Sequence, residues 1–212
     1  MNFAFFADIF FPNKCLACGA TGASAGGAPC CAACRRTVAI AAACPSEFHA
    51  AADYGDPVVR TLIHQLKFNF MRSAAAPLGE MIADHAVRCK DIPPHFLRDA
   101  VIVPIPLSRK RLRERGFNQS ALIAERVGAC AGVRVLNDVL MRVRHTKPHS
   151  ETASAAERRR NILGCFSVCR PPPAKIILVD DVVTTGSTFE EAIRTLRAEG
   201  AHAIVAIAAA RS

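Results

Sequence analysis

Ile176-Ile177-Leu178-Val179-Asp180-Asp181-Val182-Val183-Thr184-Thr185-Gly186-Ser187-Thr188-Phe189 reads as a buried strand, two acids, a hydroxyl-rich glycine turn and the start of a helix. The uninterrupted apolar run at 176–179 is the pattern of a strand covered on both faces. Beyond the turn, Phe189, Ala192, Ile193 and Leu196 share one helical face and Gly200 supplies a stop signal. At the helix start the backbone N–H groups of Thr185, Gly186, Ser187 and Thr188 lack intrahelical partners, and with the helix dipole they form a site for a phosphate. The hydroxyls of Thr184, Thr185, Ser187 and Thr188 add donors, and Gly186 lets the backbone approach a ligand closely. Asp180 and Asp181 are expected at the strand's end. Carboxylates there would repel phosphate, so their task is to accept hydrogen bonds from sugar hydroxyls or to hold a hydrated Mg²⁺. A sugar phosphate with free hydroxyls satisfies both halves of the segment.

The surrounding sequence extends this unit into an α/β domain. Short apolar runs at 101–103, 133–135 and 203–207 are further strand candidates, and helical periodicity occupies 118–130 and 188–199. Residues 57–89 carry Val58, Leu62, Ile63 and Leu66, then Leu78, Met81 and Ile82, at helical spacing; the interruption around 69–76 predicts two helices. Strands alternating with helices imply a doubly wound parallel sheet, with ligands beyond the carboxyl ends of its strands. Arg109, Lys110, Arg111, Arg113 and Arg115 precede a Gly116-Phe117-Asn118 turn, a counterpart for a pyrophosphate that one helix end could not neutralise. Arg115, entering the next helix beside Gly116, is the leading cation. Arg142, Arg144, Lys147, Arg158, Arg159 and Arg160 outnumber Glu151 and Glu157 in a second basic stretch, which suits a lid.

Six of ten cysteines fall before residue 45. Cys15-Leu-Ala-Cys18 and Cys31-Ala-Ala-Cys34 form two CxxC pairs at a spacing that closes four thiolates around one tetrahedral Zn²⁺, with Cys30 or Cys44 as possible replacements. A glycine-rich segment of this size cannot build its own core, so metal ligation would supply folding energy. Four thiolates leave no open coordination position, so this metal is expected to be structural. The expected organisation is a cysteine-rich zinc-ribbon-like module at 1–50 and an α/β domain at 51–212.

The chain has 212 residues, 51% hydrophobic and 21% charged, which excludes disorder as its main state. Its net charge of +9 favours polyanionic or phosphorylated partners. No apolar run is long enough to span a bilayer, and the amino-terminal stretch lacks the features of a signal peptide, so no membrane insertion and a cytoplasmic location are expected. Phe3, Phe5, Phe6, Phe10 and Phe11 are read as core-packing aromatics rather than a membrane-surface anchor. With one Tyr and no Trp, any stacking of nucleic-acid bases would rest on Phe68, Phe70 and Phe117.

The 176–189 segment resembles the signature of type I phosphoribosyltransferases, which bind 5-phosphoribosyl 1-pyrophosphate (PRPP). Val103-Pro-Ile-Pro-Leu107, the Arg115-Gly116-Phe117-Asn118-Gln119 turn, the basic stretch from Arg142, Leu62-Ile-His64-Gln-Leu-Lys67-Phe68 and the cysteine pairs together resemble the ComF family of phosphoribosyltransferase-like proteins. The resemblance implies that Asp180 and Asp181 contact the ribose hydroxyls or their Mg²⁺, and that Thr184, Thr185, Gly186, Ser187 and Thr188 hold the 5′-phosphate. By the same resemblance Arg115, Gly116 and Lys67 complete the PRPP site, Asp180, Asp181 and Arg115 being its catalytic candidates. It also implies a role in DNA uptake during natural transformation, with single-stranded DNA and a helicase-like competence protein as partners. Phosphoribosyl transfer to an unidentified acceptor and a non-catalytic sensor or scaffold both remain open. Purine-salvage relatives place an Asp where this chain has Thr184, so purine salvage is not expected.

Overall fold

The computed structural model describes residues 14–21, 29–39, 41, 48–144 and 160–212. The expectations for the five amino-terminal phenylalanines, for Cys44, and for Lys147, Glu151, Glu157, Arg158 and Arg159 in the basic stretch lie outside the described residues.

Four strands form a parallel sheet: β1 (Phe48–Asp53), β2 (Val101–Pro104), β5 (Lys175–Val183) and β6 (Ala203–Arg211), in the order β1-β6-β5-β2. Side chains alternate across the pleat, so successive apolar residues feed two cores. Ile102, Ile177, Val179 and Ile207 pack on one side beneath α2 (Pro57–Phe68), α3 (Ala75–Arg88) and α6 (Gln119–Ala131). Val103, Ile176 and Leu178 pack on the other against α7 (Ser187–Ala198) and the antiparallel pair β3 (Leu140–Arg142) and β4 (Phe166–Val168). This is the doubly wound α/β arrangement expected from the sequence.

Local chemistry explains the element boundaries. Asp56 accepts hydrogen bonds from the N–H groups of Val58 and Val59, and Pro57 opens α2 in a preset helical conformation. The predicted interruption is present: Phe70 has a φ of 54° and a single 3₁₀ turn, Arg72–Ala74, leads into α3. Two short helices, α4 (Pro94–Asp99) and α5 (Arg109–Arg115), precede and follow β2.

Two expectations need correction. The 133–135 run is not a strand; Val135 makes one isolated parallel bridge to Ile102. The run is short and Gly132, at a φ of 68°, has just ended α6, so the chain touches the sheet edge and leaves it. Secondly, β5 does not stop before its acids but runs through Asp180 and Asp181 to Val183, because β6 continues alongside, with Asp180 opposite Ala208 and Val182 opposite Ala210. The basic run ahead of the Gly116-Phe117-Asn118 turn, to which the sequence assigned no element, is the helix α5, with Ser108 capping the Arg111 N–H.

Strand β1, which spans the expected boundary at residue 50, pairs with β6 inside the main sheet. Ahead of it, Lys14 and Thr21 bridge across a turn in which Gly19 has a φ of 74°, and α1 (Ala32–Thr37) starts at Cys31, whose thiol caps Cys34 N–H. Cys15, Cys30 and Cys31 are buried in the same apolar cluster as α2 and α3, and Arg35 of α1 is ion-paired with Glu80 of α3. No helix among the described residues is long and apolar enough to cross a membrane.

Candidate functional site

A cleft of about 610 Å³ opens beyond the carboxyl end of β5. It gathers Lys67 from the end of α2, Arg111 and Arg115 from α5, Gln119 and Ser120 from the start of α6, Arg142 from β3, and residues 180–189. The acids lie deep. Asp181 is 4% exposed; its Oδ1 is 2.7 Å from Lys67 Nζ, and its buried Oδ2 has no hydrogen-bond partner among the described residues. Asp180 Oδ1 accepts from Ser120 Oγ at 2.7 Å and from the Asp181 N–H at 2.9 Å. Burial, reinforced by the Asp181 charge, pushes the Asp180 carboxyl up to about 7, against the pull of those two hydrogen bonds and of Lys67.

The turn follows at once. Gly186 has a φ of 81° and precedes α7 with no side-chain cap, leaving the helix entrance to other hydrogen-bond acceptors. A Cβ on Gly186 would stand 2.3 Å from the Phe48 ring, so the turn is pressed against β1. Thr184 and Thr185 are exposed, Ser187 is buried, and the Thr185 and Ser187 hydroxyls lie 2.7 Å apart. Opposite stand the cations. Arg111 and Arg115 are four residues apart on α5 and therefore share a face. Burial pulls Arg115 below its ordinary pKa, with Arg111 adding to the effect and Asp181 opposing it. Arg142 is pulled down likewise by burial and by Arg111, while its guanidinium lies 5.6 Å from the Phe166 ring.

The structure thus brings Lys67, Arg115, Asp180, Asp181, Thr184, Thr185, Gly186, Ser187 and Thr188 to one cleft. Gly116 does not line it; at a φ of 76° it ends α5 and turns the chain toward α6. Arg109, Lys110 and Arg113 also fall outside the lining. Phe117 is buried beneath the Arg72 guanidinium, 5.0 Å from its ring, and so is not the stacking surface expected, whereas Phe68 and Phe70 are exposed at the cleft. Sequence reasoning did not single out Ser120, which buttresses Asp180. Its only signal was its place one residue after the Asn118-Gln119 turn.

In the amino-terminal segment Cys15, Cys18, Cys31 and Cys34 place their sulfurs within 4.8 Å of one another. This cluster could hold a metal such as zinc. The N–H groups of Cys31, Cys18 and Ala17 outweigh burial at Cys15 and hold its thiol down at about 6, in the range where thiolate is available. Cys30 lies outside the cluster, its thiol directed to the Cys31 carbonyl at 3.7 Å and pushed up to about 12 chiefly by burial.

Competence protein F of Haemophilus influenzae is 36% identical over 107 residues, covering 49% of this chain and 46% of that protein. DNA utilization protein YhgH of Escherichia coli is 34% identical over 154 residues, 72% of this chain and 66% of the relative. This chain belongs to the ComF/YhgH family. Competence protein ComFC of Bacillus subtilis is 38% identical over 109 residues, 50% of this chain and 41% of its own length. The matches to ComF/YhgH proteins therefore span between about two fifths and two thirds of the curated relatives. No protein-family model matches the chain. Among solved structures, an adenine phosphoribosyltransferase from Leishmania tarentolae matches at a TM-score of 0.36 and 12% identity, covering 68% of this chain and 59% of that one.

Proposed function

We propose that the cleft binds PRPP with Mg²⁺ and that this ComF/YhgH chain acts in the cytoplasm in the uptake or use of incoming DNA. The observation that carries the ligand assignment is the meeting, in one cleft, of an uncapped helix entrance rich in hydroxyls, an acid pair of which Asp181 is buried, and three arginines. The turn at Thr184, Thr185, Gly186, Ser187 and Thr188 takes the 5′-phosphate. Asp180 and the unpartnered Oδ2 of Asp181 accept hydrogen bonds from the ribose hydroxyls or hold the hydrated ion, a fit supported by that orphaned buried oxygen. Arg111, Arg115 and Arg142 face the pyrophosphate end, where a polyanion offsets the cost of burying Arg115 and Arg142 beside Arg111. Mg²⁺ bound with the pyrophosphate neutralises part of its charge. In transfer, the C1–oxygen bond breaks, both electrons leave with pyrophosphate, and an acceptor atom bonds to C1. Lys67 holds Asp181 in place beneath the ribose.

The relatives' names, competence protein and DNA utilization protein, support the link to DNA, as does the net charge of +9. Single-stranded DNA and a helicase-like competence protein are the partners in this reading. The cysteine-bearing segment ahead of β1 holds a structural Zn²⁺ on Cys15, Cys18, Cys31 and Cys34, and the sheet from β1 onward carries the phosphoribosyltransferase-like domain.

Calorimetric titration of Mg²⁺ and PRPP into the wild type and into Asp180→Asn/Asp181→Asn tests the ligand. Saturable binding is expected, weakened at least about tenfold in the double variant, with Arg115→Ala also impaired and Arg109→Ala unchanged. Absence of binding to the wild type overturns the assignment. Binding without pyrophosphate release in the presence of single-stranded DNA or nucleobases assigns the fold to the non-catalytic sensor role.

A further inference from the structure

A second group of metal-ligating side chains lies away from the PRPP cleft, where α3 ends against the edge strand β1. His85 and Cys89 are one helical turn apart at the carboxyl end of α3, which places them on one face. His49, forty residues before Cys89, faces them from β1: its Nδ1 is 3.6 Å from Cys89 Sγ, and its ring lies 5.9 Å from the His85 ring. One ligand atom from each of the three lies within 4.8 Å of the others. All three are partly buried in the wall of a groove of about 900 Å³, between α3 and the cysteine-bearing segment with α1. The buried Nε2 of His85 has no hydrogen-bond partner among the described residues, an omission that burial normally penalises.

We propose that His49, His85 and Cys89 form a second metal site, distinct from the four-cysteine cluster, for a borderline-soft divalent ion of the zinc class. Two imidazoles and one thiolate are nitrogen and sulfur donors, which exclude Mg²⁺ and Ca²⁺ as natural occupants and suit Zn²⁺ or Co²⁺. Zinc-to-nitrogen and zinc-to-sulfur bonds of about 2.0 and 2.3 Å require ligand atoms nearer than the present spread, so binding draws the three side chains inward by roughly an ångström. Three protein ligands leave one tetrahedral position facing the groove. Asp91 stands next to it, with Oδ2 4.0 Å from Cys89 Sγ, as a fourth ligand or a partner for a bound water. The site ties the last turn of α3 to β1 beside α1, which couples metal occupancy to the junction between the cysteine-bearing segment and the sheet.

Chelator-stripped, reduced full-length protein is titrated with Co²⁺, and zinc content is measured after reconstitution with Zn²⁺. Two equivalents per chain are expected. The four-thiolate site gives a strong sulfur-to-cobalt charge-transfer band, and the second equivalent adds about a quarter of that intensity, as one thiolate requires. His85→Gln and Cys89→Ser, tested separately, each remove one equivalent and leave the four-thiolate spectrum. A single equivalent with a single-thiolate spectrum supports this site and overturns the four-cysteine one. Wild-type protein that takes up only one equivalent with the four-thiolate spectrum overturns the proposal, whatever the variants do; so do variants that retain both equivalents.

Discussion

Gly186 occupies a position that no side chain can share. Its φ of 81° is strained for any L-residue, and a Cβ would meet Phe48 Cε2 at 2.3 Å. Gly186→Ala is expected to destabilise the chain by about 1–3 kcal/mol, read as a lower urea midpoint, and to abolish PRPP binding because the turn must open. Asp180 makes stability depend on pH. Its carboxyl is raised from 3.8 to about 7, so the folded chain holds this proton more tightly than the unfolded one. The contribution is complete below the unfolded value and is lost as pH rises through about 7. Urea midpoints of the ligand-free chain should therefore fall between pH 5 and pH 8 relative to Asp180→Asn, which lacks this component. Neighbouring side chains differ in how legible they were. Asp180, Asp181 and the turn are contiguous and announced themselves; Ser120 and Arg142 reach the same cleft from other elements, Ser120 marked only by its place after the Asn118-Gln119 turn and Arg142 only as one of many cations in a basic stretch.

Helix α3 crosses α6 so closely that a Cβ on Gly79 would lie 2.6 Å from Arg126 Cβ and 2.8 Å from the Ile123 carbonyl oxygen. Gly79→Ala should therefore cost about 1–3 kcal/mol through a forced separation of the helices, despite alanine's better helix propensity, and a thermal melt reads the loss. The β3–β4 pair is held to α7 by Glu191, which accepts from the Gly164 N–H and from Arg194. That tether keeps Arg142 over the cleft. Elements with strong periodicity, α2, α3, α6 and α7, were legible because one face of each is apolar at helical spacing. Strand β1 was not, since Phe48-His-Ala-Ala-Ala-Asp53 has little β propensity and is a strand only because β6 lies beside it. The 133–135 run erred the other way: its composition favours a strand, but it meets the sheet at one bridge.

Across the chain, the cysteine-bearing segment and the sheet share one apolar cluster, through Cys15, Cys30 and Cys31, and the Arg35–Glu80 ion pair. With Zn²⁺ bound, calorimetry should show a single unfolding transition, and a chelator should lower its midpoint by about 5–10 °C rather than split off an early one. The α/β class, the glycine turn leading into an uncapped helix and the CxxC pairs could all be read in the sequence, because each depends on residues close together in the chain, where periodicity and spacing carry the information. Strand order, the reach of β5 beyond its acids, the choice of Arg111 and Arg142 to join Arg115 from many cations, and the meeting of His49 with His85 and Cys89 came only with the tertiary structure. Those features depend on contacts between separate segments, from Asp180 opposite Ala208 to His49 beside Cys89, forty residues on, and Ser120 bonded to Asp180, sixty residues on, which no local pattern encodes and which packing of the two cores imposes.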